Sequence, residues 1–357
     1  MLDTVSPLHG ANLSIAAFSQ QPLQWQNSVL GALCFSGEGN ACRLPGATAL
    51  PSLCVPMQRL DHDESVCEAW TSNLTLTEGR QGAIHFRHNE DVLFGVIELD
   101  ETLFAADSNK TPLQQAAEAA YHQIFKLLDT LRYPYLFRVW NYIADINAHS
   151  FELERYRQFN LGRQDAFLAH GREVVGNVPA ACALGFGQRG SAGGLSIAFL
   201  AGRVAPLNIE NPRQISAYQY PQQYGPRSPT FSRASLVRLG QDEVLFVSGT
   251  ASIVGHATLH PSDVVAQTCE TLANIEAELT EANRLASQAS FDLANLYYKV
   301  YVRHPSDLTQ ISAELARIVG SAPHAIYLQA DICRQDLLLE IEATAGHPFV
   351  YFSGDKS

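Results

Sequence analysis

Apolar residues recur at two spacings along the chain, and from residue 82 onward these spacings predict alternating strands and helices. Residues 82–100 alternate apolar and polar positions on both sides of residues 89–91, which predicts two strands joined by a turn. Residues 111–131 carry apolar side chains at helical spacing and predict a helix. Residues 134–146 are rich in aromatic and β-branched residues, which favour a further strand.

The second half of the chain repeats this order of elements. Its apolar pattern predicts, in turn, a strand at 243–255, a helix at 261–282, a strand at 296–304, a helix at 307–320 and a last strand at 333–346. Residues 179–202 can be laid over residues 323–346 without a gap, and seven positions are then identical. The shared order of elements favours an internal duplication over two unrelated strand pairs.

The last predicted strand carries two acids side by side on one face. Its apolar residues alternate toward the other face: Leu337, Leu339 and Ile341. In the overlay of the two halves, Glu340 falls on Ser196 and Glu342 falls on Ala198, so one copy has acids where the other has none. A carboxyl that is buried beside a second carboxylate keeps its proton at neutral pH and can act as an acid. The alternative is an exposed strand face with two solvated acids.

Composition and charge narrow the classes of protein. The chain has 357 residues, 46% of them apolar, and a net charge of −12. These values indicate a folded globular protein of one large or two ordinary domains. The acidic balance argues against nucleic-acid binding, which requires a basic surface. No apolar run is long enough to cross a membrane, and the N-terminus lacks the pattern of a signal peptide.

The seven cysteines indicate a reducing compartment. Their number is odd and their spacing contains no CxxC pair, so reduced thiols in the cytoplasm are the simplest interpretation. The four cysteines between residues 34 and 67 do not have the spacing of a zinc site. We therefore expect a cytoplasmic protein without a metal.

Two segments of the second half, with the last strand, resemble the RidA (YjgF) family. These segments are "LFVSGTASI", "DVVAQTCETLANIEAELTEA" and "LLLEIEATAG", within about residues 244–347. In RidA-like imine deaminases the first Glu of the closing strand works in the active site, and it falls on Glu340 here. Those enzymes place a carboxylate-binding Arg where this chain has Ala325. This departure argues against imine-deaminase activity.

A larger part of the chain is similar to the chorismatase / 3-hydroxybenzoate synthase family. The similarity runs from about residue 90 to 347 and rests on "PYLFRVWNYIADIN", "ERYRQFNLGRQDAF", "NVPAACALG", "NPRQISAYQYPQQYGPRSPTFSRA" and "FVSGTASIVGHAT". The resemblance implies an enzyme that acts on chorismate, releases pyruvate from its enolpyruvyl ether and uses no metal or cofactor. It also implies that Glu340 is the catalytic acid and that Cys333 determines the product. Members with Cys there form hydroxybenzoates, and members with a small residue there form a dihydroxycyclohexadiene carboxylate. The members that resemble this chain make 3-hydroxybenzoate, and some make 4-hydroxybenzoate as well.

Chorismate carries two carboxylates, so the site needs cations and donors, for which the planar fork of arginine is suited. Residues 217–233 combine tyrosines and arginines in a loop with Pro and Gly. In order of preference, the candidate ligands are Arg227 assisted by Tyr224 and Tyr218, then Arg303, then Arg155 and Arg163. The alternative for this loop is a tyrosine-rich turn packed on the surface.

Together these observations predict an α+β fold of two RidA-like halves, each a mixed sheet with helices on one face. Residues 1–205 would form the degenerate first half with extra N-terminal strands, and residues 206–357 the half that carries the catalytic strand. The predicted function is a chorismate-processing lyase that forms 3-hydroxybenzoate, with the chain a monomer or a homotrimer. The alternatives are a chorismatase that stops at the dihydroxycyclohexadiene carboxylate, which Cys333 argues against, and a non-catalytic RidA-like binding protein.

Overall fold

The computed structural model of the protein describes residues 6–37, 44, 50–105, 109–187, 194–320 and 323–351. Within them, the helices are α1 Ile15–Gln20, α2 Leu23–Asn27, α3 Pro112–Leu131, α4 Arg155–Ala169, α5 Val264–Leu285 and α6 Leu308–Val319. The strands are β1 His9–Ser14, β2 Val29–Phe35, β3 Ser52–Val55, β4 Val66–Thr71, β5 Thr77–Gln81, β6 Ile84–His88, β7 Val92–Asp100, β8 Tyr135–Ala144, β9 His149–Ser150, β10 Leu153–Glu154, β11 Ala180–Phe186, β12 Gly194–Gly202, β13 Leu207–Ile209, β14 Ala234–Leu239, β15 Asp242–Thr250, β16 Ile253–Val254, β17 Ala257–Thr258, β18 Tyr297–Val302, β19 His324–Gln329, β20 Leu339–Ala345 and β21 Phe349–Tyr351.

Local side chains explain why the predicted elements begin and end where they do. The hydroxyl of Thr111 accepts a hydrogen bond from the backbone of Gln114 and caps α3. The helix therefore begins at Pro112, one residue after the predicted start. The carboxylate of Asp263 caps α5 in the same way, so this helix begins at Val264 rather than at 261. The amide oxygen of Asn89 accepts two backbone hydrogen bonds and forms the predicted turn between β6 and β7.

The three large sheets share one arrangement of four strands. Their orders are β11-β8-β12-β7-β6-β5, β13-β14-β15-β20-β18-β19 and β21-β1-β4-β2-β3. In each, a parallel edge pair (β8 with β11, β18 with β19, β2 with β3) continues into two antiparallel strands. The predicted duplication is therefore present, and the first 80 residues supply a third, shorter sheet of the same order. The predicted boundary at 205/206 falls between β12 and β13 and stays a prediction.

Strand register confirms the overlay of the two halves. In the first half, Ser196 on β12 lies opposite Tyr142 on β8. In the second half, Glu340 on β20 lies opposite Tyr301 on β18. The two tyrosine hydroxyls lie 3.4 Å apart in the centre of the molecule, so equivalent positions of the two sheets meet there.

Each of the two larger sheets packs one face on helices and the other on a core shared by all three sheets. Trp70, Trp140 and Phe246 come from the three different sheets and contact one another in that shared core. Alternation along β20 puts Leu339 and Ile341 toward α5 and α6 and puts the two acids toward the shared core. The helical side of this strand is apolar, and burying each such side chain stabilises the fold by about 2 kcal/mol.

The predicted last strand is six residues too long at its start. Residues 333–338 form a loop, and Leu337 packs in the shared core instead of on the helical side with Leu339. Side chains outside the strand ladder hold this loop, since the amide of Gln267 bonds the backbone of Asp336 and of Leu338. Apolar alternation continues through the loop, and for that reason the pattern overextended the strand.

The expectation of seven reduced thiols is wrong for one pair. Cys34 on β2 lies directly opposite Cys67 on β4, and the two are joined as a disulfide with a Cα–Cα distance of 4.1 Å. Neighbouring antiparallel strands bring the two residues together, although 33 residues separate them in sequence. Cys182, Cys269 and Cys333 are free thiols, and Cys42 lies outside the described residues.

Among the described residues, no group of three or more His, Cys, Asp or Glu could hold a metal ion. No helix in this part of the chain is long and apolar enough to cross a membrane.

Candidate active site

A cavity of about 370 Å³ opens between the two halves of the chain, beside the start of β20. The first half contributes the turn before α4 and the first residues of that helix, and the second half contributes the end of β15 and the loop before β20. The segment 214–233, which follows β13, closes the remaining side. The lining residues are His149, Glu154, Tyr156, Arg157, Gln214, Tyr220, Tyr224, Pro229, Phe231, Arg233, Gly249, Ala251, Ile253, Ala257, Thr258, Cys333, Arg334, Gln335, Asp336 and Glu340.

Glu340 is the most deeply buried acidic residue of the cavity lining. Its side chain lines the cavity, yet the residue is only 3% exposed. Burial and the negative charge of Glu342 raise the pKa of Glu340 to about 8, and Arg138 opposes this shift only weakly. Most Glu340 carboxyls are therefore protonated at pH 7, as a general acid requires.

Glu342, two residues along the same strand face, has the opposite state. It pairs with Arg138, and it accepts hydrogen bonds from the ammonium of Lys299 at 2.8 Å and from the indole of Trp140 at 3.0 Å. Burial favours the neutral form of Glu342, but the two cations outweigh it and lower the pKa to about 2. The two acids are thus a neutral donor and a fixed anion, a division of states that environment alone produces.

The fixed anion belongs to a buried ion network that joins the three sheets. Lys299 on β18 also pairs with Glu68 on β4 at 2.6 Å, and Arg138 comes from β8. All of these charged groups are nearly inaccessible to solvent. Each charge has a partner of opposite sign, which burial at this depth requires.

A glycine makes room for the carboxyl of Glu340. A Cβ atom placed on Gly249 would lie 1.9 Å from Oε1 of Glu340 and 3.1 Å from Cβ of Cys182. No real Cβ contact is this short, so any side chain at 249 would displace Glu340. Gly249 and Ala251 both line the cavity and form its floor.

Cys333 faces the same cavity as a neutral thiol. Burial, with a smaller contribution from Glu340, raises the pKa of Cys333 to about 12. Tyr156 lines the same cavity as Cys333. Burial, and then the nearby Cys333, raise the pKa of the Tyr156 phenol. A thiol with this pKa is a weak donor and a polarisable wall of the site; it does not supply a thiolate nucleophile at neutral pH.

Arg233 is the most deeply buried cation that lines the cavity. It is 4% exposed, and its Nη2 donates to the carbonyl of Ile215 at 2.8 Å and to the hydroxyl of Tyr220 at 2.9 Å. Its Nε has no hydrogen-bond partner among the described residues. A buried donor without a partner is costly, so this group is suited to binding an anion.

Arg334 is a second cation of the cavity wall. Its guanidinium lies 4.2 Å from the ring centre of Tyr224 and 5.3 Å from that of Tyr220. Its Nη1 donates to the carbonyl of His256 at 2.9 Å, and its Nη2 has no partner among the described residues. Stacking fixes the plane of the guanidinium, which pre-organises it for a carboxylate.

The structure brings three of the predicted site residues together, and these are Glu340, Cys333 and Tyr224. It places four outside the cavity lining. Arg227 is exposed on the 225–229 loop, and Tyr218 is half-buried in the segment before it. Arg163 is 2% exposed and donates to the carbonyl of Thr230, so it supports the loop from below.

Arg303 is the fourth predicted ligand that lies outside the cavity lining. Its guanidinium binds carbonyl groups of the loop that carries Cys333, together with Asp331 and Asn147. Arg155 was named as a third choice; it pairs with Glu101 and likewise does not line the cavity.

Arg233 and Arg334 are the cations that sequence reasoning did not rank. Arg233 ends the tyrosine-rich segment from which Arg227 was chosen, and Arg334 directly follows Cys333. Both arginines lie next to predicted site residues, but the spacing of residues in a loop does not show which arginine side chain points into a cavity. The ion partners of Glu342 were equally hidden, because they come from other sheets.

Comparison with known proteins decides the family. A protein named chorismatase from Streptomyces rapamycinicus is 39% identical over 288 residues, which cover 78% of this chain and 82% of the relative. The chain belongs to the chorismatase family. Residues 68–201 match the family description "Chorismatase FkbO/Hyg5-like, N-terminal". Membership confirms the prediction that the chain is an enzyme.

Two further similarities extend this chorismatase assignment. A protein named 3-hydroxybenzoate synthase from Streptomyces hygroscopicus is 37% identical over 290 residues, which cover 78% of this chain and 81% of the relative. A crystal structure of a chorismatase superposes with a TM-score of 0.82 at 31% identity, covering 96% of this chain and 99% of that one. This superposition confirms the predicted α+β fold class.

Proposed function

We propose that this chorismatase-family enzyme acts on chorismate, cleaves its enolpyruvyl ether to release pyruvate, and forms 3-hydroxybenzoate from the ring. The observation that carries the proposal is Glu340, a carboxyl with a pKa of about 8 that lines a cavity between the two halves. An enol ether is cleaved by protonation at carbon, which needs a positioned acid that still holds its proton at neutral pH.

Glu340 would supply that proton. Its carboxyl O–H bond breaks as a C–H bond forms at the terminal methylene of the enolpyruvyl group, and the double-bond electrons make that bond. The neighbouring carbon becomes an oxocarbenium ion. Glu340 is then an anion next to the cation it created, which stabilises the cation.

If the ring hydroxyl adds to the oxocarbenium carbon, a cyclic ketal forms and the hydroxyl proton returns to Glu340. Loss of the proton from the ring carbon that bears the ether oxygen, with cleavage of the ring C–O bond of the former hydroxyl, then aromatises the ring, and the remaining hemiketal collapses to pyruvate and 3-hydroxybenzoate. If water adds instead, the hemiketal collapses to pyruvate and the diol.

The cavity suits the size and charge of the substrate. Its volume of about 370 Å³ lies within the range of small-molecule sites. Arg233 and Arg334 each have a buried N–H group without a partner among the described residues, and Arg157 is a third cation of the lining. Two carboxylates can therefore be bound although the whole chain is acidic. Tyr224 would hold the plane of Arg334.

Cys333 is the basis for proposing the aromatic product. Pyruvate and hydroxybenzoate together contain the atoms of chorismate, whereas the rival product, the diene diol, contains an added water. Aromatisation needs loss of a ring proton and of the oxygen leaving group. A neutral, polarisable thiol against the ring restricts water and can pass a proton. A relative named 3-hydroxybenzoate synthase supports this choice, and 4-hydroxybenzoate is a further product to be measured.

The cytoplasmic location and the choice between monomer and trimer stay predictions.

Product analysis tests the proposal. The purified enzyme is incubated with chorismate, pyruvate is followed with lactate dehydrogenase, and ring products are separated by chromatography. We expect pyruvate and 3-hydroxybenzoate in equal amounts from the wild type, and a shift to the diol in Cys333→Ala. Cys269→Ala is the matched control, because its thiol lies on α5 away from the cavity lining. Absence of pyruvate from the wild type would overturn the proposal and favour a binding protein.

A further inference from the structure

One guanidinium binds the loop on both sides of Cys333. Arg303 follows β18, and its Nη2 donates to the carbonyls of Ile332 at 3.2 Å and of Arg334 at 2.8 Å. Its Nε donates to the carbonyl of Leu337 at 2.8 Å. The two Nη2 bonds fall on the residues directly before and after Cys333, so they fix the thiol from both sides.

The remaining donors of Arg303 reach two side chains. Its Nη1 donates to Asp331 at 2.7 Å and to the amide oxygen of Asn147 at 3.1 Å. Asn147 belongs to the first half of the chain, and its own amide donates to the carbonyl of Ile332 at 2.9 Å. The loop of the second half is thereby tied to the first half at the edge of the cavity.

This count leaves Arg303 no free donor for a substrate. A guanidinium has five N–H donors, and the five bonds to Ile332, Arg334, Leu337, Asp331 and Asn147 use all of them. The group also faces a different, polar cavity of about 510 Å³, whose lining it shares with Asp331.

We infer that Arg303 is a positioning residue that sets the product of the reaction by fixing Cys333 and Arg334 through their backbone; this rests on the proposed function of the cavity. The loop has no strand ladder of its own between β19 and β20. A shift of about 1 Å in a positioned group costs roughly 100-fold in rate. A loosened loop would displace the thiol from the ring and admit water, so the diol would form in place of the aromatic acid.

Arg303→Lys and Asp331→Asn separate this role from simple ion pairing. Lysine keeps the positive charge and can keep the ion pair with Asp331, but it cannot bond three carbonyls at once. Asp331→Asn removes the ion pair and leaves the carbonyl bonds intact. Asn147→Ala is a second loosening variant, which removes the other side-chain bond to Ile332. Circular dichroism and thermal unfolding confirm that each variant is folded.

The first measurement is the ratio of diol to 3-hydroxybenzoate at equal pyruvate release. We expect this ratio to rise about tenfold or more in Arg303→Lys, less in Asn147→Ala, and not in Asp331→Asn, because one mispositioned group can change a rate by that factor. An unchanged ratio in Arg303→Lys, or an equal rise in Asp331→Asn, would overturn the inference.

The second measurement is independent of chorismate. The alkylation rate of Cys333 by iodoacetamide is followed by mass spectrometry, since this residue lies in its own tryptic peptide, 318–334. Cys182, in peptide 173–189, is the internal reference for global unfolding. Positioning predicts faster alkylation of Cys333 relative to Cys182 in Arg303→Lys. An unchanged relative rate would contradict the inference about Arg303, whether or not the enzyme acts on chorismate. Absence of pyruvate from the wild type would refute the proposed function, and it would leave the alkylation result valid.

Discussion

Replacing Glu342 with Gln should move the pH dependence of catalysis, although Glu342 is not the proton donor. The activity of the wild type should fall as pH rises through about 8, where Glu340 loses its proton. Part of that high pKa comes from the negative charge of Glu342. Glu342→Gln removes this charge and keeps the shape of the side chain, so Glu340 should ionise at a lower pH.

The size of the shift follows from the strand geometry. Two residues on one face of a strand are about 6.6 Å apart. At an effective dielectric constant of about 20, two unit charges at this distance repel by roughly 2.5 kcal/mol, or about 1.8 pKa units. Arg138, left without its anion, acts on Glu340 in the same direction. We therefore expect the alkaline limb of the kcat/KM profile to move to a pH about 1 to 2 units lower, since 1.36 kcal/mol corresponds to one pKa unit.

The assay is kcat/KM for pyruvate release between pH 5.5 and 9.5, on protein shown to be folded at each pH. Glu342→Gln should also lower stability by about 3 to 5 kcal/mol, because it leaves the buried guanidinium of Arg138 without its anionic partner. Glu68→Gln is the matched control: it alters the same network through Lys299 but is not among the charges that shift Glu340. The reasoning is refuted if the limb of Glu342→Gln stays near 8, or if Glu68→Gln moves it equally.

Three further changes have definite expected outcomes. The pKa of Glu340 is raised from 4.5 to about 8, so its contribution to stability is present below about pH 4.5 and is lost as pH rises to 8. Glu340→Gln should therefore raise the melting temperature more at pH 8 than at pH 5, and a difference that is the same at both pH values would contradict this. Gly249→Ala should displace the Glu340 carboxyl and lower kcat about 10- to 100-fold in initial-rate assays, whereas an unaltered kcat would show that the floor can yield. Arg233→Lys should raise KM for chorismate about tenfold with a smaller effect on kcat, because a bidentate contact is lost; a fall confined to kcat would argue against carboxylate binding.

The repeat could be predicted from sequence because it depends on periodicity. Alternation and helical spacing located α3, α5 and α6, and the overlay of 179–202 on 323–346 matched the observed strand register. Extra N-terminal strands were predicted, but their arrangement as a third sheet was not, because these strands lie among loops. Their order in the sheet repeats that of the other two sheets, but the order depends on which strands pair, and the sequence pattern does not give that pairing.

The acid could be predicted, whereas most of its surroundings could not. Glu340 and Glu342 stood out because strand alternation puts two acids on one face. Burial and the partners from other sheets, which give these acids their opposite states, depend on contacts between distant segments. The same holds for the cations: Arg227 and Arg233 are close in sequence, yet only Arg233 turns into the cavity. Loop direction is set by tertiary contacts such as that of Arg163 with Thr230.

The most direct test of the account is the rate of pyruvate release by Glu340→Gln in a single turnover with chorismate, together with the affinity of this variant for chorismate by calorimetry. Gln has the size of the neutral carboxyl but cannot give up a proton. We expect a rate at least about 1,000-fold below that of the wild type, which lies within the range of losses for a missing general acid. The affinity for chorismate should change by less than about threefold. A rate within tenfold of the wild type, at equal affinity, would contradict the claim that Glu340 protonates the substrate.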